Sequence, residues 1–374
     1  MSSRAVTRAL QGAALTCAAV VVALLLAEAG LRIAHRSAPS SFLLLPPHAR
    51  VRDVQTDWDV TYTTNAMGLR DDEVTAIRVP GTRRIVTVGD SYTFGQGCER
   101  GATFPDRLEA ILGERGKPAE VVNVSRHGLG STDYAELVRD VALPLGPDVL
   151  VVSVFGNDAS DLAPPSALHR AARGVAERSH LVTLFRELRR GTRARQAEAA
   201  MHDRLSGEKA LPDDPGGARA AALREFRAAH GDRPNNLVAA LALDPRGVER
   251  WLDPPADGVG WRTFVEDLDA IRDECRRAGV ALVVGIVPDS AAVDAEQAEL
   301  RRRFGVALPH DVLSAPFGFE TKVRDYAASR GIPCFDPTEA FRAVGHGLHF
   351  PTDAHWSPAG HDLYARELAR FLDP

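Results

Sequence analysis

Between residues 84 and 95 the chain reads Arg-Ile-Val-Thr-Val-Gly-Asp-Ser-Tyr-Thr-Phe-Gly. The β-branched run at 85–88 predicts a buried strand, and it ends abruptly in a Gly-Asp-Ser turn. Ligands of parallel α/β sheets bind outside the carboxyl ends of the strands, so a substrate could reach the hydroxyl of Ser91. The stretch therefore predicts a catalytic serine if other segments supply a base, an acid that orients it, and oxyanion donors.

Strand-like and helical patterns alternate after this stretch. The predicted strands are Ile85–Val88, Val121–Val124, Val149–Phe155, Val280–Val287 and Pro333–Phe335. The third and fourth are almost continuously apolar, as in strands that are covered on both faces. Helix starts are indicated at Thr103 and Ser357, each followed closely by proline. Strands alternating with helices predict a parallel sheet between two helical layers.

Composition restricts the function classes. The 374 residues are 45% hydrophobic and 25% charged, which is typical of a globular protein with one large domain or two ordinary ones. A formal net charge of −5 gives no sign of nucleic-acid binding. The four cysteines form no C-x-x-C pair, and no metal-ligand spacing is visible. We therefore expect neither a metal nor a cofactor.

The N-terminus carries a targeting signal. Arg4 and Arg8 precede an uncharged apolar run at 9–27, which is just long enough to span a bilayer as a helix. We expect residues 1–35 to form a single transmembrane anchor with the rest of the chain exported, because positive charge ahead of the run favours a cytoplasmic N-terminus. A signal peptide that is cleaved near residues 27–29 is the alternative.

The remainder divides into two regions. Residues 36–80 are interpreted as a membrane-proximal extension that leans on the main domain, with a turn at Asn65–Arg70. The main domain is expected at 81–374. Within it, residues 163–258 have helical spacing without a strand pattern, so they are interpreted as a helical insertion between the third and fourth strands. Its arginine-rich first half is either a solvated helix face or a lid that attracts anionic glycan or lipid headgroups.

Polar segments follow four of the predicted strand ends. They are Gly89-Asp90-Ser91, the loop at 123–130 with Gly128, the loop at 155–158 with Asn157, and the segment at 353–361 with Asp353 and His355. The carboxyl ends of parallel strands share one edge of the sheet, so we expect these segments to converge on one site. One such segment alone would be weak evidence for an active site, whereas four of them in this order are strong evidence for one.

These four segments resemble the SGNH (GDSL) hydrolase superfamily over residues 83–374, apart from the insertion. The resemblance implies a flavodoxin-like three-layer α/β/α fold. It also implies that Ser91 is the nucleophile, that Gly128 and Asn157 help form the oxyanion hole, and that His355 is the general base. The anchor, the Asn65–Arg70 turn and the Asp-x-His-Trp ending resemble the membrane-attached branch that includes alginate-type O-acetyltransferases.

The chemistry of the residues agrees with these roles. A serine hydroxyl becomes a good nucleophile when a base such as His355 takes its proton. Asp353 is the candidate that fixes the tautomer of this ring, although it precedes the histidine by two residues, whereas many members of the superfamily have a spacing of three. Residues two apart in an extended segment share a face, so the pair can lie side by side. Asp336 is a reserve candidate, and otherwise a turn residue.

Other residues near the predicted site have supporting roles. The backbone N–H of Ser91 is a further oxyanion donor. Gly89 and Asp90 are expected to shape the turn, with the Asp90 carboxylate accepting hydrogen bonds from nearby backbone N–H groups. Arg126 and His127 are either substrate contacts or an exposed loop pair.

The sequence thus predicts an extracytoplasmic serine esterase or O-acyltransferase that acts on O-acyl groups, chiefly acetyl, of a carbohydrate. The expected partners are an ester substrate and the membrane, with no nucleic acid. A GDSL-type lipase or lysophospholipase with the insertion as its lid is one alternative. A non-catalytic surface protein that binds glycans is another. The oligomeric state and the choice between water and a sugar hydroxyl as acceptor are left open.

Overall fold

The computed structural model describes residues 3–34, 43–75, 81–159, 179–182, 184, 188, 211–315 and 318–373. The arginines that make the first half of the predicted insertion basic lie outside the described residues. The strands of the described chain are β1 (Arg50–Val54), β2 (Asp59–Thr63), β3 (Arg83–Gly89), β4 (Ala119–Ser125), β5 (Val149–Val154), β6 (Ala281–Ile286) and β7 (Cys334–Phe335).

The helices begin with a long N-terminal helix and otherwise surround the strands. Those of the described residues are α1 (Ser3–Ala34), α2 (Ser91–Phe94), α3 (Phe104–Glu114), α4 (Ser131–Leu137), α5 (Ala218–His230), α6 (Asn236–Leu243), α7 (Pro245–Leu252), α8 (Val259–Ala278), α9 (Ser290–Val293), α10 (Ala295–Arg303), α11 (Gly318–Arg330), α12 (Thr338–Val344) and α13 (Pro358–Leu372). Short 3₁₀ turns lie at Leu143–Leu145 and Gly156–Ala159.

Five parallel strands form the central sheet in the order β4-β3-β5-β6-β7. Counted along the chain within this sheet, the order is 2-1-3-4-5, which is that of flavodoxin-like folds. Each of the five predicted strands is present, and the predicted α/β class is confirmed. The order reverses between β3 and β5, and ligands of such sheets bind at that point.

The core lies on both faces of the sheet, as the period of two along a strand requires. Val86 and Val88 of β3 pack on one face, where α4, α8 and α11 lie. Ile85 points to the other face, where α3, α12 and α13 lie. Because both faces are covered, the strands are apolar along nearly their whole length.

A separate antiparallel hairpin, β1–β2, packs against the main domain. Its residues Trp58, Val60 and Tyr62 form a buried cluster with Phe94 of α2. The predicted turn at Asn65–Arg70 follows, and the buried Arg70 guanidinium donates to the carbonyl oxygens of Phe94 and Gly95, each at 2.7 Å. The hairpin is therefore joined directly to the helix that begins with Ser91.

Two further regions flank this core. The segment Gly12–Ile33 of α1 has a mean hydropathy of 2.2 and is not buried, so it is long and apolar enough to cross a membrane. The described second half of the predicted insertion is helical and contributes α5, α6 and α7. Leu223, Leu241 and Val248 from these helices pack with Phe304 in a small core of their own.

Candidate active site

The nucleophile turn is shaped by its neighbours on both sides. Gly89 ends β3, and an added Cβ there would lie 2.1 Å from Oγ1 of Thr93, so only glycine fits without a shift. Asp90 caps α2, and its Oδ1 accepts from the backbone N–H of Tyr92 at 3.0 Å. Ser91 is thereby the first residue of α2, with only 8% of its surface exposed.

The acid and the base lie on the segment that precedes α13. Its ends pair as a short antiparallel bridge between His349 and Trp356, and Phe350 N–H donates to the carbonyl oxygen of His355 at 2.9 Å. Within the loop, His355 Nδ1 is 2.5 Å from Oδ1 of Asp353, which also accepts from the backbone N–H of His355 at 2.9 Å. The two-residue spacing therefore brings carboxylate and ring together.

Ser91 and His355 meet although 264 residues separate them in the chain. Nε2 of His355 is 2.8 Å from Oγ of Ser91. The three side chains of Asp353, His355 and Ser91 thus form one continuous line of hydrogen bonds, at the strand end where the order of the sheet reverses.

The charges of Asp353 and His355 determine where the protons lie in this chain of hydrogen bonds. Burial raises the pKa of Asp353, but the charge and hydrogen bonds of His355 outweigh it, and the net pKa is lowered. Burial lowers the pKa of His355, but Asp353 outweighs that effect, and the net pKa is raised. Because the carboxylate only accepts, Nδ1–H donates to it and the lone pair of Nε2 faces the Ser91 hydroxyl.

The other predicted site residues lie on the same edge of the sheet. Gly128 is exposed in the loop after β4, with φ of 73°. Asn157 lies in the 3₁₀ turn after β5, and its Nδ2 donates to Oδ2 of Asp90 over 3.4 Å. Their role as oxyanion donors, together with the backbone N–H of Ser91, stays a prediction.

Two acidic residues at the site were not predicted. The buried Asp158 accepts from the N–H of Phe155 at 2.9 Å and from the hydroxyl of Tyr134 at 2.8 Å, and its pKa is raised by burial and by Asp90. It fixes the turn that carries Asn157. No spacing in the sequence distinguishes this carboxylate from that of an exposed turn.

The other is Asp53 of β1, which reaches the site because the hairpin packs there. Its Oδ2 accepts from Trp58 Nε1 at 2.9 Å and from the Tyr62 hydroxyl at 2.8 Å. Burial and the charge of Arg126 lower the pKa of His127, and the charge of Asp53 opposes this shift. The same charge contributes to the raised pKa of His355. The Trp58 ring lies edge-on to His355, with centroids 6.1 Å apart. The hairpin therefore forms one wall of the site.

The remaining candidates are placed as follows. His127 is exposed, and its ring centroid is 5.6 Å from that of Phe94. Arg126 precedes it and is half-buried. Whether either contacts a substrate stays a prediction. Asp336 instead accepts from the N–H of Thr338 at 3.0 Å and pairs with Arg324 at 3.1 Å, as a turn residue does.

Residues 254–374 match the family described as "SGNH hydrolase-like domain, acetyltransferase AlgX". The fold is of the SGNH type. The match covers the segment that contains Asp353 and His355, and it confirms the predicted resemblance together with the predicted class of enzyme, an ester-acting serine hydrolase or acyltransferase. None of the curated proteins matches the chain.

Solved structures are similar to this chain at low sequence identity. A putative lipolytic protein of the G-D-S-L family from Desulfitobacterium hafniense has 13% identity and a TM-score of 0.37, over 78% of this chain and 99% of that one. A catalytic mutant of an acetylxylan esterase from Geobacillus stearothermophilus has 13% identity and a TM-score of 0.40, over 79% and 97%. A GDSL-like lipase from Bacteroides thetaiotaomicron has 11% identity and a TM-score of 0.37, over 78% and 89%.

Proposed function

We propose that the protein is a serine esterase or O-acyltransferase that acts on acetyl groups of a carbohydrate, held at a membrane by α1 with its catalytic domain outside the cytoplasm. The observation that carries the proposal is the line of hydrogen bonds from Asp353 through His355 to Ser91. A carboxylate, an imidazole and a hydroxyl in that order can generate a nucleophile at neutral pH.

The first half-reaction forms an acyl-enzyme. Oγ of Ser91 attacks the ester carbonyl carbon while Nε2 of His355 takes the hydroxyl proton, and Asp353 stabilises the resulting imidazolium. The negative oxygen of the tetrahedral intermediate accepts hydrogen bonds from the N–H groups of Ser91 and Gly128 and from the amide of Asn157. The bond to the alcohol oxygen then breaks, and His355 returns the proton to the departing alcohol.

The second half-reaction reverses these steps with another acceptor. His355 takes a proton from water or from a sugar hydroxyl, whose oxygen attacks the acyl carbon. The bond to Oγ breaks, and the proton returns to Ser91. Water yields a free carboxylic acid, whereas a sugar hydroxyl yields a new ester. Hydrolysis and transfer thus use the same residues and differ only in which acceptor reaches the acyl-enzyme.

Acetyl is proposed as the acyl group because the family that matches residues 254–374 is described as an acetyltransferase. A carbohydrate is proposed as acceptor or substrate because the residues around the nucleophile combine aromatic rings with polar groups. Trp58 and the ring of Phe350 lie beside each other, with centroids 4.9 Å apart, and Asp53 and His127 lie close to the base. The apolar, unburied surface of α1 supports the proposed membrane attachment.

The test compares the full-length protein with Ser91→Ala in a detergent-solubilised form. We expect the wild type to hydrolyse a small aryl acetate and a serine-directed phosphonate to label it at Ser91. Ser91→Ala is expected to lose turnover by about 10⁴-fold or more. Full turnover by Ser91→Ala would refute the nucleophile assignment, and an unlabelled, inactive wild type would favour a non-catalytic glycan-binding protein.

The acceptor and the acyl group require two further measurements. A labelled acetyl donor is incubated with candidate glycans, and the label is recovered either as free acetate or on the glycan, which separates hydrolase from transferase. A series of aryl esters of increasing acyl length tests the acetyl assignment. Activity that rises with chain length would contradict it and favour a lipase or lysophospholipase.

A further inference from the structure

The loop that carries Asp353 and His355 is held by side chains from segments far away in the chain. The loop, residues 350–356, lies beyond the last strand and makes no ladder with the central sheet of the described chain. One contact comes from α10, where Gln297 Nε2 donates to the carbonyl oxygen of Phe350 at 2.8 Å. Two further contacts converge on Thr352, the residue that directly precedes the catalytic carboxylate.

The first of these contacts comes from the turn between β1 and β2. Oδ2 of Asp57 accepts from the backbone N–H of Thr352 at 2.9 Å and from its hydroxyl at 2.8 Å. Thr352 is buried, with 5% of its surface exposed, so these hydrogen bonds are shielded from water. Hydrogen bonds to a charged acceptor are roughly twice as strong as those between neutral groups.

The second contact comes from the predicted insertion. Nδ2 of Asn235 donates to the carbonyl oxygen of Thr352 at 3.0 Å and to its hydroxyl oxygen at 2.8 Å. The other atom of the same amide, Oδ1, caps α6 by accepting from the N–H of Val238 at 2.8 Å. Asn235, Thr352 and Asp57 thus form one chain of hydrogen bonds that ties the start of α6 to the loop.

The start of α6 also faces the carboxylate itself. The backbone N–H of Leu237, in the first turn of this helix, contributes to the lowered pKa of Asp353. Oδ2 of Asp353 has no hydrogen-bond partner among the described residues. The N-terminal end of a helix stabilises a nearby anion.

We propose that Asn235 and Asp57 are positioning residues, which hold Thr352 so that the Asp353 carboxylate stays aligned with Nδ1 of His355. The second half of the insertion then helps to build the acid–base pair and is not only a cover over the site. This inference rests on the proposed function of Ser91, Asp353 and His355.

The measurement that detects positioning is the pH dependence of the reaction. The carboxylates that face the ring of His355 are Asp353, Asp90 and Asp53, and the phenol ring of Tyr92 lies 5.1 Å from it, centroid to centroid. The histidines whose own pKa responds to its charge are His127, His349 and His361. Asp353 is the largest charge effect on His355. Displacement of Asp353 therefore lowers the pKa of the base and moves the acid limb of kcat/KM to lower pH.

The variants are chosen to remove the hydrogen bonds to Thr352 while leaving the rest of the loop intact. Asn235→Ser keeps an oxygen that can cap α6, since serine is among the best N-cap residues, but its side chain is too short to reach Thr352. Asp57→Ala removes the acceptor, and Asp57→Asn restores one. Thr56→Val is the matched control, because Thr56 Oγ1 contacts the carbonyl oxygens of residues 233 and 234 in the same interface without contacting the loop.

All variants are assayed as full-length protein with an aryl acetate over a pH series, and their melting temperatures are recorded. Misplacing a catalytic group by about 1 Å can cost about 10²-fold in rate. We expect Asn235→Ser and Asp57→Ala to lower kcat by up to that factor with KM little changed and the acid limb shifted to lower pH. Asp57→Asn should recover part of kcat, and Thr56→Val should match the wild type.

Two results would overturn the inference. One is an unchanged kcat and acid limb in folded Asn235→Ser and Asp57→Ala. The other is a loss of activity that only follows the loss of folded protein, with the acid limb in place. Ser91→Ala in the same assay separates the two proposals. If Ser91→Ala is inactive and the positioning variants behave as wild type, the proposed function stands and the positioning role fails.

Discussion

The nucleophile and the base of this protein are held in different ways. Ser91 sits on a tight turn between β3 and α2, and its position follows from the strand, the cap of Asp90 and the lack of a side chain at Gly89. His355 lies on a loop beyond the last strand, and side chains from segments far away in the chain hold this loop. The shape of the serine turn comes mainly from residues next to it in the chain, whereas the acid–base loop depends mainly on contacts across the chain.

This difference suggests where the site tolerates change. A strand buried on both faces is stabilised by the whole core, so the serine turn is expected to keep its shape when distant surface segments vary. The acid–base loop depends on a few hydrogen bonds, each worth about 0.5–1.5 kcal/mol net, or somewhat more to a charged partner. Variation in the insertion can therefore alter catalysis without touching the nucleophile.

Among the tests of this comparison between the serine turn and the acid–base loop, the largest effect is expected at the Asp353 carboxylate. In Asp353→Asn the amide cannot stabilise the imidazolium, and it favours the wrong tautomer of His355, so kcat should fall by about 10⁴-fold. Steady-state kinetics with an aryl acetate measure this change. Asp336→Asn is the matched control, because that carboxylate holds a turn with Thr338 away from the site. A similar loss in both variants would contradict the assignment of Asp353.

A smaller effect is expected where the turn is tightest. In Gly89→Ala the new Cβ meets Thr93, so the strand end must shift, at a cost of about 1–3 kcal/mol in stability and about 10²-fold in rate. Thermal unfolding and kcat measure the two losses. Gly113→Ala in α3 is the control, because nothing lies within 4 Å of its added Cβ, and alanine should be neutral or stabilising there. Wild-type kcat in Gly89→Ala would show that the position of Ser91 does not depend on the lack of a side chain at residue 89.

The next test concerns Asp53, in the hairpin that forms one wall of the site. Because Asp53 raises the pKa of His355, Asp53→Asn should lower the pKa of the base. The base acts in its neutral form, so kcat/KM rises with pH through this pKa, and the acid limb should move to lower pH. The shift should be smaller than in Asp353→Asn, since Asp353 is the larger effect.

The substitution is conservative in shape, because the oxygen of the introduced amide can still accept from Trp58 and Tyr62. A pH series of kcat/KM with an aryl acetate measures the shift. If the acid limb of kcat/KM does not move, the charge of Asp53 does not affect the pKa of His355.

The test with the smallest expected effect on catalysis concerns stability against acid. Burial lowers the pKa of His349 and of His361 to about 3 each. Above about pH 6.5 both rings are neutral in folded and unfolded chains. Between about pH 6.5 and 3 the unfolded chain binds more protons, so unfolding becomes easier by up to about 1.4 kcal/mol per pH unit for each ring. His355 acts at higher pH and in the opposite sense. Because its folded pKa is raised, its contribution to stability grows as the pH falls towards about 6.5 and is constant below that.

His349→Leu tests this directly, because neither ring nitrogen of His349 has a hydrogen-bond partner among the described residues. Denaturant unfolding of wild type and variant is compared over that pH range. The variant should lose stability less steeply as the pH falls, with little change near pH 8. Identical slopes would mean that His349 is protonated in the folded protein. His361 accepts from the N–H of Phe104 at 3.2 Å, so its replacement is a poorer test.

Much of the fold could be predicted because it depends on local patterns. The buried strands are almost continuously apolar, glycine and aspartate mark the turns, and proline after serine marks the start of α13. The same logic indicated that Ser91, Gly128, Asn157 and His355 lie at one edge, since parallel strands end together. The pairing of Asp353 with His355 was expected only as a possibility, because two residues in an extended segment share a face without necessarily touching.

The missed residues have no comparable local signal. Asp53, Asp57, Asn235 and Asp158 are polar residues in segments that read as ordinary turns or helix caps. Their importance depends on where the hairpin and α6 pack, and that packing is decided by apolar contacts such as those of Trp58. No periodicity along the chain encodes it.

The sequence by itself determined the α/β class of the fold and the kinds of side chain at the strand ends. These features follow from short-range propensities and from the alternation of strands and helices. Only the tertiary structure decided that Thr352 is held between Asp57 and Asn235, and that His355 Nε2 reaches Ser91 within 2.8 Å. Such contacts join residues up to 295 positions apart, and they exist only once the whole core has formed.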